Sequence, residues 1–145
     1  MIRTRRQLLA LLSMPALPAA VLAQASPALQ AAINAFTGGA PVVDGGIEVE
    51  IAELVENGNA VPVTLRVASP MSEADHVREL AIFTDRNPQP DVARFVLDPQ
   101  CGRAWVSTSI RLATSQQVIV LARHADGRLQ RRAVDVIVTL AACIE

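Results

Sequence analysis

From residue 47 onward the chain alternates. Ile47, Val49 and Ile51 are separated by Glu48 and Glu50, and after Asn57-Gly58 the run Val61, Val63, Leu65, Val67 is separated by Pro62, Thr64 and Arg66. A period of two sends one set of side chains to a buried face and the other to solvent, so both segments predict β-strands. Pro62 has no N–H for a ladder, which places its strand at a sheet edge or a bulge. Further strands are predicted from about Val77 to Phe83, Val92 to Leu97, Arg103 to Leu112, Gln117 to Arg123 and Leu129 to Leu140. Asn87-Pro88-Gln89-Pro90 and Asp98-Pro99 break these runs, and Asp126-Gly127 predicts a type I′ hairpin. One segment has a different period. Leu29, Ala32, Ile33 and Phe36 share a helical face, Ser26 can cap it, Pro27 suits its first position and Gly38-Gly39 ends it. The pattern predicts an all-β protein: an immunoglobulin-like antiparallel β-sandwich of about seven strands, with one short N-terminal helix and a flexible C-terminal arm.

The first residues belong to a different kind of segment. Arg3, Arg5 and Arg6 precede an apolar run from Leu8 to Leu22, and Ala23-Gln24-Ala25 is an A-x-A cleavage site. This is the order of a secretory signal. Thr4-Arg5-Arg6-Gln7-Leu8-Leu9 resembles a twin-arginine export motif, with an ordinary Sec signal as the alternative. Pro15 and Pro18 interrupt a run already shorter than the ~20 residues of a spanning helix, so no membrane span is expected. The expected plan is an export signal over 1–25, a sandwich domain over 26–140 and a cysteine arm over 141–145, in the periplasm.

Composition narrows the function classes. All 13 basic residues are arginine, which removes lysine Schiff-base and P-loop chemistry. The net charge is −1, and losing 25 residues with three arginines and no acid takes it to −4. No basic field remains to hold nucleic acid. Aromatics make up 3% of the chain, too few for a base-stacking platform.

The residues that could carry chemistry are few. No G-x-S-x-G, G-x-G-x-x-G or H-E-x-x-H occurs. His76 and His124 lie in turn contexts without ligand spacing and read as surface residues. Glu48 and Glu50 fall on the solvent side of their strand. No catalytic residue, metal site or cofactor is assigned on this basis. The cysteines are Cys101, in the turn Asp98-Pro99-Gln100-Cys101-Gly102, and Cys143, just past the last strand. An exported protein with two cysteines invites a disulfide. Direction argues against one, because reversing connections put the Cys101 turn and the Asp126 hairpin at one end, while the last strand carries the chain to the other. Cys143 near a chain end is then either incidental or a handle. Copper delivery by Cys143 is a further reading, poorly supported because Met71 is the one methionine after the signal and no histidine lies near the tail.

Three stretches carry a family resemblance: Glu56-Asn57-Gly58-Asn59-Ala60-Val61-Pro62-Val63, Asn87-Pro88-Gln89-Pro90-Asp91-Val92, and Val106-Ser107-Thr108-Ser109-Ile110-Arg111-Leu112-Ala113-Thr114-Ser115-Gln116. Together they resemble SoxY, the sulfur-carrier subunit of the bacterial Sox sulfur-oxidation (thiosulfate-oxidation) system. The resemblance implies an immunoglobulin-like sandwich, a heterodimer with a SoxZ-like subunit, and intermediates held covalently on a cysteine in a mobile C-terminal arm. That arm is presented in turn to Sox-type enzymes, including c-type cytochrome and manganese-dependent partners. The carrier cysteine corresponds to Cys143. Thiosulfate-oxidising members end in Gly-Gly-Cys-Gly-Gly, whereas this arm is Ala141-Ala142-Cys143-Ile144-Glu145 and resembles a SoxY-related branch. Alanines and β-branched Ile144 restrict the backbone where glycines would free it. Glu145 and the terminal carboxylate are expected to raise the thiol pKa and to disfavour an anionic adduct. The arm reaches ~17 Å beyond Leu140 at full extension. A rival reading makes the chain an accessory subunit in which Cys143 is dispensable.

Overall fold

The computed structural model describes residues 25–140. The expected export signal and the arm 141–145 lie outside the described residues, apart from Ala25.

Helix α1 spans Pro27–Thr37. Ser26 Oγ accepts the Leu29 N–H at 3.2 Å, and Gly38 closes the helix in the left-handed conformation at φ 63°. Leu29 and Phe36 are buried and Ala32 and Ile33 half-buried, the face that the helical spacing predicts. Nine strands follow: β1 (Val42–Asp44), β2 (Ile47–Ile51), β3 (Leu54–Asn57), β4 (Val61–Val67), β5 (Val77–Thr84), β6 (Asp91–Val96), β7 (Ala104–Ile110), β8 (Gln116–His124) and β9 (Leu129–Leu140). One sheet has the order β1-β9-β8-β5-β6, with β3 also pairing β9, and the other has the order β2-β4-β7.

The predicted sandwich is present, with two strands more than the alternation predicts and a mixed large sheet. β1 and β3 run parallel to β9 and pair with its first and last residues. They are three and four residues long, too short to display a period. β1 takes the free edge of β9 opposite β8, and β3 takes the stretch in which twelve-residue β9 outruns nine-residue β8.

Between the sheets lie Val61, Val63 and Leu65 of β4, Leu80 and Ile82 of β5, and Val118 and Val120 of β8. A second cluster sits under the helix, with Leu29 and Phe36 against Ala81, Phe83, Ile119, Leu121 and Leu129. β5 and β8 are therefore buried on both faces, which explains their near-continuous apolar sequences. Arg123 fastens the helix from below. Its guanidinium donates to the Phe36 carbonyl and to the Glu79 carboxylate, and lies 4.6 Å from the centre of the Phe36 ring.

Three local expectations need correction. β4 is the central strand of its sheet, although the edge inference holds at Pro62 itself: pairing with β2 ends at Val63, leaving Pro62 with β7 alone. The hairpin at Asp126-Gly127 is not type I′, which needs two positive φ values. The His124 N–H donates to the Arg128 carbonyl and the Gly127 N–H to the His124 carbonyl. Gly127 alone takes a positive φ in this three-residue loop. Third, His124 is not a surface residue. It is 3% exposed, because its even position on β8 points between the sheets beside Val120 and Ala122.

Candidate functional site

Cys143 lies outside the described residues, as do Ala141, Ala142, Ile144 and Glu145, and β9 is the strand that leads to it. Cys143 is three residues beyond Leu140 in the sequence, which bounds the two Cα atoms to about 11 Å of each other. β9 is bonded on one side up to Leu140 and on the other up to Val138. On one side the Gly58 N–H donates to the Leu140 carbonyl at 2.9 Å and the Ile137 N–H to the Glu53 carbonyl at 2.7 Å. The Thr139 hydroxyl adds a bond to the Glu56 carbonyl at 3.2 Å. On the other side the Val138 N–H donates to Ser115 Oγ at 2.8 Å, and that hydroxyl donates to the Val138 carbonyl at 3.3 Å.

Apart from Glu53, these partners come from two of the three distinctive stretches of the sequence, and the third joins them through Asn87. Asn57-Gly58 supplies one flank of β9 and Ser115 the other, while the Gly58 carbonyl accepts the Leu112 N–H at 2.8 Å. Asn87 ties the loops together. Its amide donates to the Arg111 carbonyl at 2.8 Å, and its Oδ1 accepts from the Ala113 N–H at 2.9 Å and from Gln116 Nε2 at 2.8 Å. Gln116 in turn accepts the Arg86 N–H at 2.8 Å. The motifs therefore converge on one end of the sandwich and fix the root of the arm. Their separation along the chain hides this convergence. The signal that could have revealed it is that each motif carries Asn, Gly or Ser, the residues that bond loops to backbone.

The opposite end holds Cys101 and both histidines. Cys101 is exposed and free, in a 3-10 turn spanning Pro99–Cys101. It shares that end with the Asp126 hairpin, since Leu97 bonds to Arg78 and Arg128 pairs with Asp75 at 3.4 Å. His76 Nδ1 is 3.0 Å from the Ser72 carbonyl. His124 Nε2 donates to Gln130 Oε1 at 2.8 Å, while its Nδ1 is buried without a partner among the described residues. Glu48 and Glu50 are exposed, as expected, and Arg66 bridges them at 2.9 and 3.0 Å. Among the described residues no three His, Cys, Asp or Glu side chains gather as metal ligands would, and no helix is long and apolar enough to cross a membrane.

A two-sheet sandwich, covered on one side by a helix and with its last strand bonded close to its end, defines a small immunoglobulin-like β-sandwich protein. Comparison with known proteins makes this specific. The family described as sulfur oxidation protein SoxY matches residues 33–143, and the chain belongs to that family. It is similar to the sulfur carrier protein SoxY from Chlorobium limicola f thiosulfatophilum, at 32% identity and TM-score 0.65, over 78% of this chain and 97% of that one. The fold is also shared with a superoxide reductase (neelaredoxin) from Ignicoccus hospitalis, at 16% identity and TM-score 0.58, over 65% of this chain and 80% of that one. A putative superoxide reductase from Thermotoga maritima has 20% identity and TM-score 0.55, over 71% and 89%. Those two likenesses concern the fold alone. No curated protein matches the chain. Family membership and the likeness to a sulfur carrier support a sulfur-oxidation carrier role.

Proposed function

We propose that this chain is an exported, non-catalytic carrier that holds a sulfur-linked intermediate covalently on Cys143. In this reading residues 1–25 direct it to the periplasm, and the mature chain works as a heterodimer with a SoxZ-like subunit. Ala141, Ala142, Ile144 and Glu145 form the arm that brings Cys143 to Sox-type enzymes, c-type cytochromes among them. The observation that carries the reading is the clamp on β9. Two of the family stretches hold the end of β9, Gly58 at Leu140 and Ser115 at Val138, which is what a domain needs in order to present a short tail from a fixed point. A mobile root would spread the thiol over a larger volume and lower its effective concentration at an enzyme mouth.

The test is intact mass of the protein purified from its own periplasm without reductant, followed by peptide mapping. An adduct on Cys143 that reductant removes is the expected result, together with loss of sulfur-compound oxidation in Cys143→Ser at unchanged thermal stability. A bare thiol under every sulfur-oxidising growth condition, with full function after deletion of residues 141–145, would instead establish the accessory-subunit reading.

A further inference from the structure

Exposed strand edges are ready-made sites for pairing with another chain, and proteins blunt them with charge, proline, bulges or brevity. The edges of this sandwich differ sharply in that respect. β1 and β3 are three and four residues long. β2 presents Glu48 and Glu50, both exposed. β6 carries Asp91 and Arg94, paired with each other at 2.7 Å, and its register shifts opposite Ile82 and Phe83. β7 has none of these devices. Ala104-Trp105-Val106-Ser107-Thr108-Ser109-Ile110 contains no charge and no proline, and it pairs with β4 in seven consecutive residues without a shift. Its other side is the edge of the three-stranded sheet. A groove of about 490 Å³, lined by Val92, Ala93, Thr108, Ser109 and Ile110 among others, opens between that edge and β6.

We propose that the free edge of β7 is a strand-addition site that takes an extended strand of a different protein, uncharged along its centre and acidic at its ends. The charges flanking β7 select this occupant. Arg103 and Arg111 stand just outside the two ends of the strand, both exposed, and neither makes an ion pair among the described residues. If a second copy of this chain paired antiparallel in the register that matches all seven residues, Arg103 of each copy would oppose Arg111 of the other. Like charges directly opposite are destabilising, so the edge is closed to itself and open to a partner with carboxylates at those two positions. The backbone ladder would supply affinity and the terminal charges the choice of partner. Where the partner is the SoxZ-like subunit, this inference rests on the heterodimer reading and names the element that makes it.

The experiment is amide hydrogen exchange on the full mature chain, alone and co-purified with the SoxZ-like subunit of the same organism, together with a titration of the Arg103→Glu/Arg111→Glu double variant. The outward amides of β7 are expected to exchange at least tenfold more slowly in the complex, and the double variant to bind at least fivefold more weakly with an unchanged melting temperature. A complex that forms while β7 amides exchange as in the free chain overturns the proposal and leaves the heterodimer reading standing. Absence of any complex overturns both. Protection of β7 that grows with the concentration of the isolated chain would identify a second copy as the occupant and overturn the selection argued from the arginines.

Discussion

Gly46 shows how a single backbone position can hold a part-buried polar pair. Its φ is +78°, and a Cβ there would stand 2.1 Å from Gln130 Nε2. The same amide group accepts the bond from His124, so the side chain cannot retreat without surrendering that bond. Gly45 also has a positive φ, +103°, but a Cβ there meets nothing within 4 Å. Alanine at either site incurs the left-handed penalty, and only Gly46→Ala adds the lost His124 contact. The expected cost of Gly46→Ala is about 1–3 kcal/mol by urea denaturation, with Gly45→Ala the smaller of the two. Equal losses would refute the role given to Gln130. Asp126 gives a prediction in pH. Its Oδ1 accepts the Arg128 N–H at 2.9 Å and its Oδ2 accepts Arg128 Nε at 2.6 Å. The backbone bond first, and the guanidinium after it, hold the carboxyl below its ordinary 3.8. Because the folded value is depressed, the hairpin gains from the ionised form above pH 3.8 and loses that gain as pH falls through the lower, folded value. The Arg128 amide resonance should therefore titrate with a midpoint below 3.8, and a midpoint at or above it would remove the bond from the account.

Among the elements, helix α1 is the one whose buried face was most legible. Leu29, Ala32, Ile33 and Phe36 repeat at helical spacing, and those are the residues the sheet covers. What the sequence could not show is how the helix is fastened. Phe36 meets Phe83 edge-on with centroids 5.8 Å apart, and Arg94 and Arg123 lie over its ring at 5.4 and 4.6 Å. These contacts join residues up to 87 positions apart, which no local pattern encodes. Phe36→Ala should cost about 3–5 kcal/mol and speed amide exchange across Pro27–Thr37 more than across β4. Uniform loss over both would mean that the helix is not a separate layer. The strands divide in the same way. Long alternating or apolar runs announced themselves, while β1 and β3 formed only because a neighbour offered an edge. Pro62 was readable as a local edge but not as part of a central strand, since strand order is a property of the sheet. His124 looked like a turn residue because the hairpin follows it at once, and only the pleat direction of β8 takes it inside.

For the molecule as a whole, polarity along the strands decides what each cysteine can do. Cys101 lies at the hairpin end, while β9 runs twelve residues to the other, roughly 36 Å at a strand's rise per residue. Even if the chain doubled back after Leu140, the ~11 Å open to Cys143 would leave it roughly 25 Å from that end, against the ~7 Å Cα limit for a disulfide. This much was readable: the family follows from the three stretches, and the separation of Cys101 from the end of β9 follows from strand direction, while Cys143 as the carrier remains part of the proposal. The clamp was not, because Asn57-Gly58, Asn87 and Ser115 meet only after the two sheets pack. The separation makes a definite prediction about the unreduced protein. A monomer lighter by the two hydrogens of a disulfide should be absent from its intact-mass spectrum. Any reducible cross-link should appear between chains. Cys101→Ser should leave an adduct on Cys143 in place, whereas Cys143→Ser should abolish it. An intramolecular bridge in the folded monomer would require β9 to leave the sheet, and its detection would overturn both the direction argument and the fixed root from which the carrier reading starts.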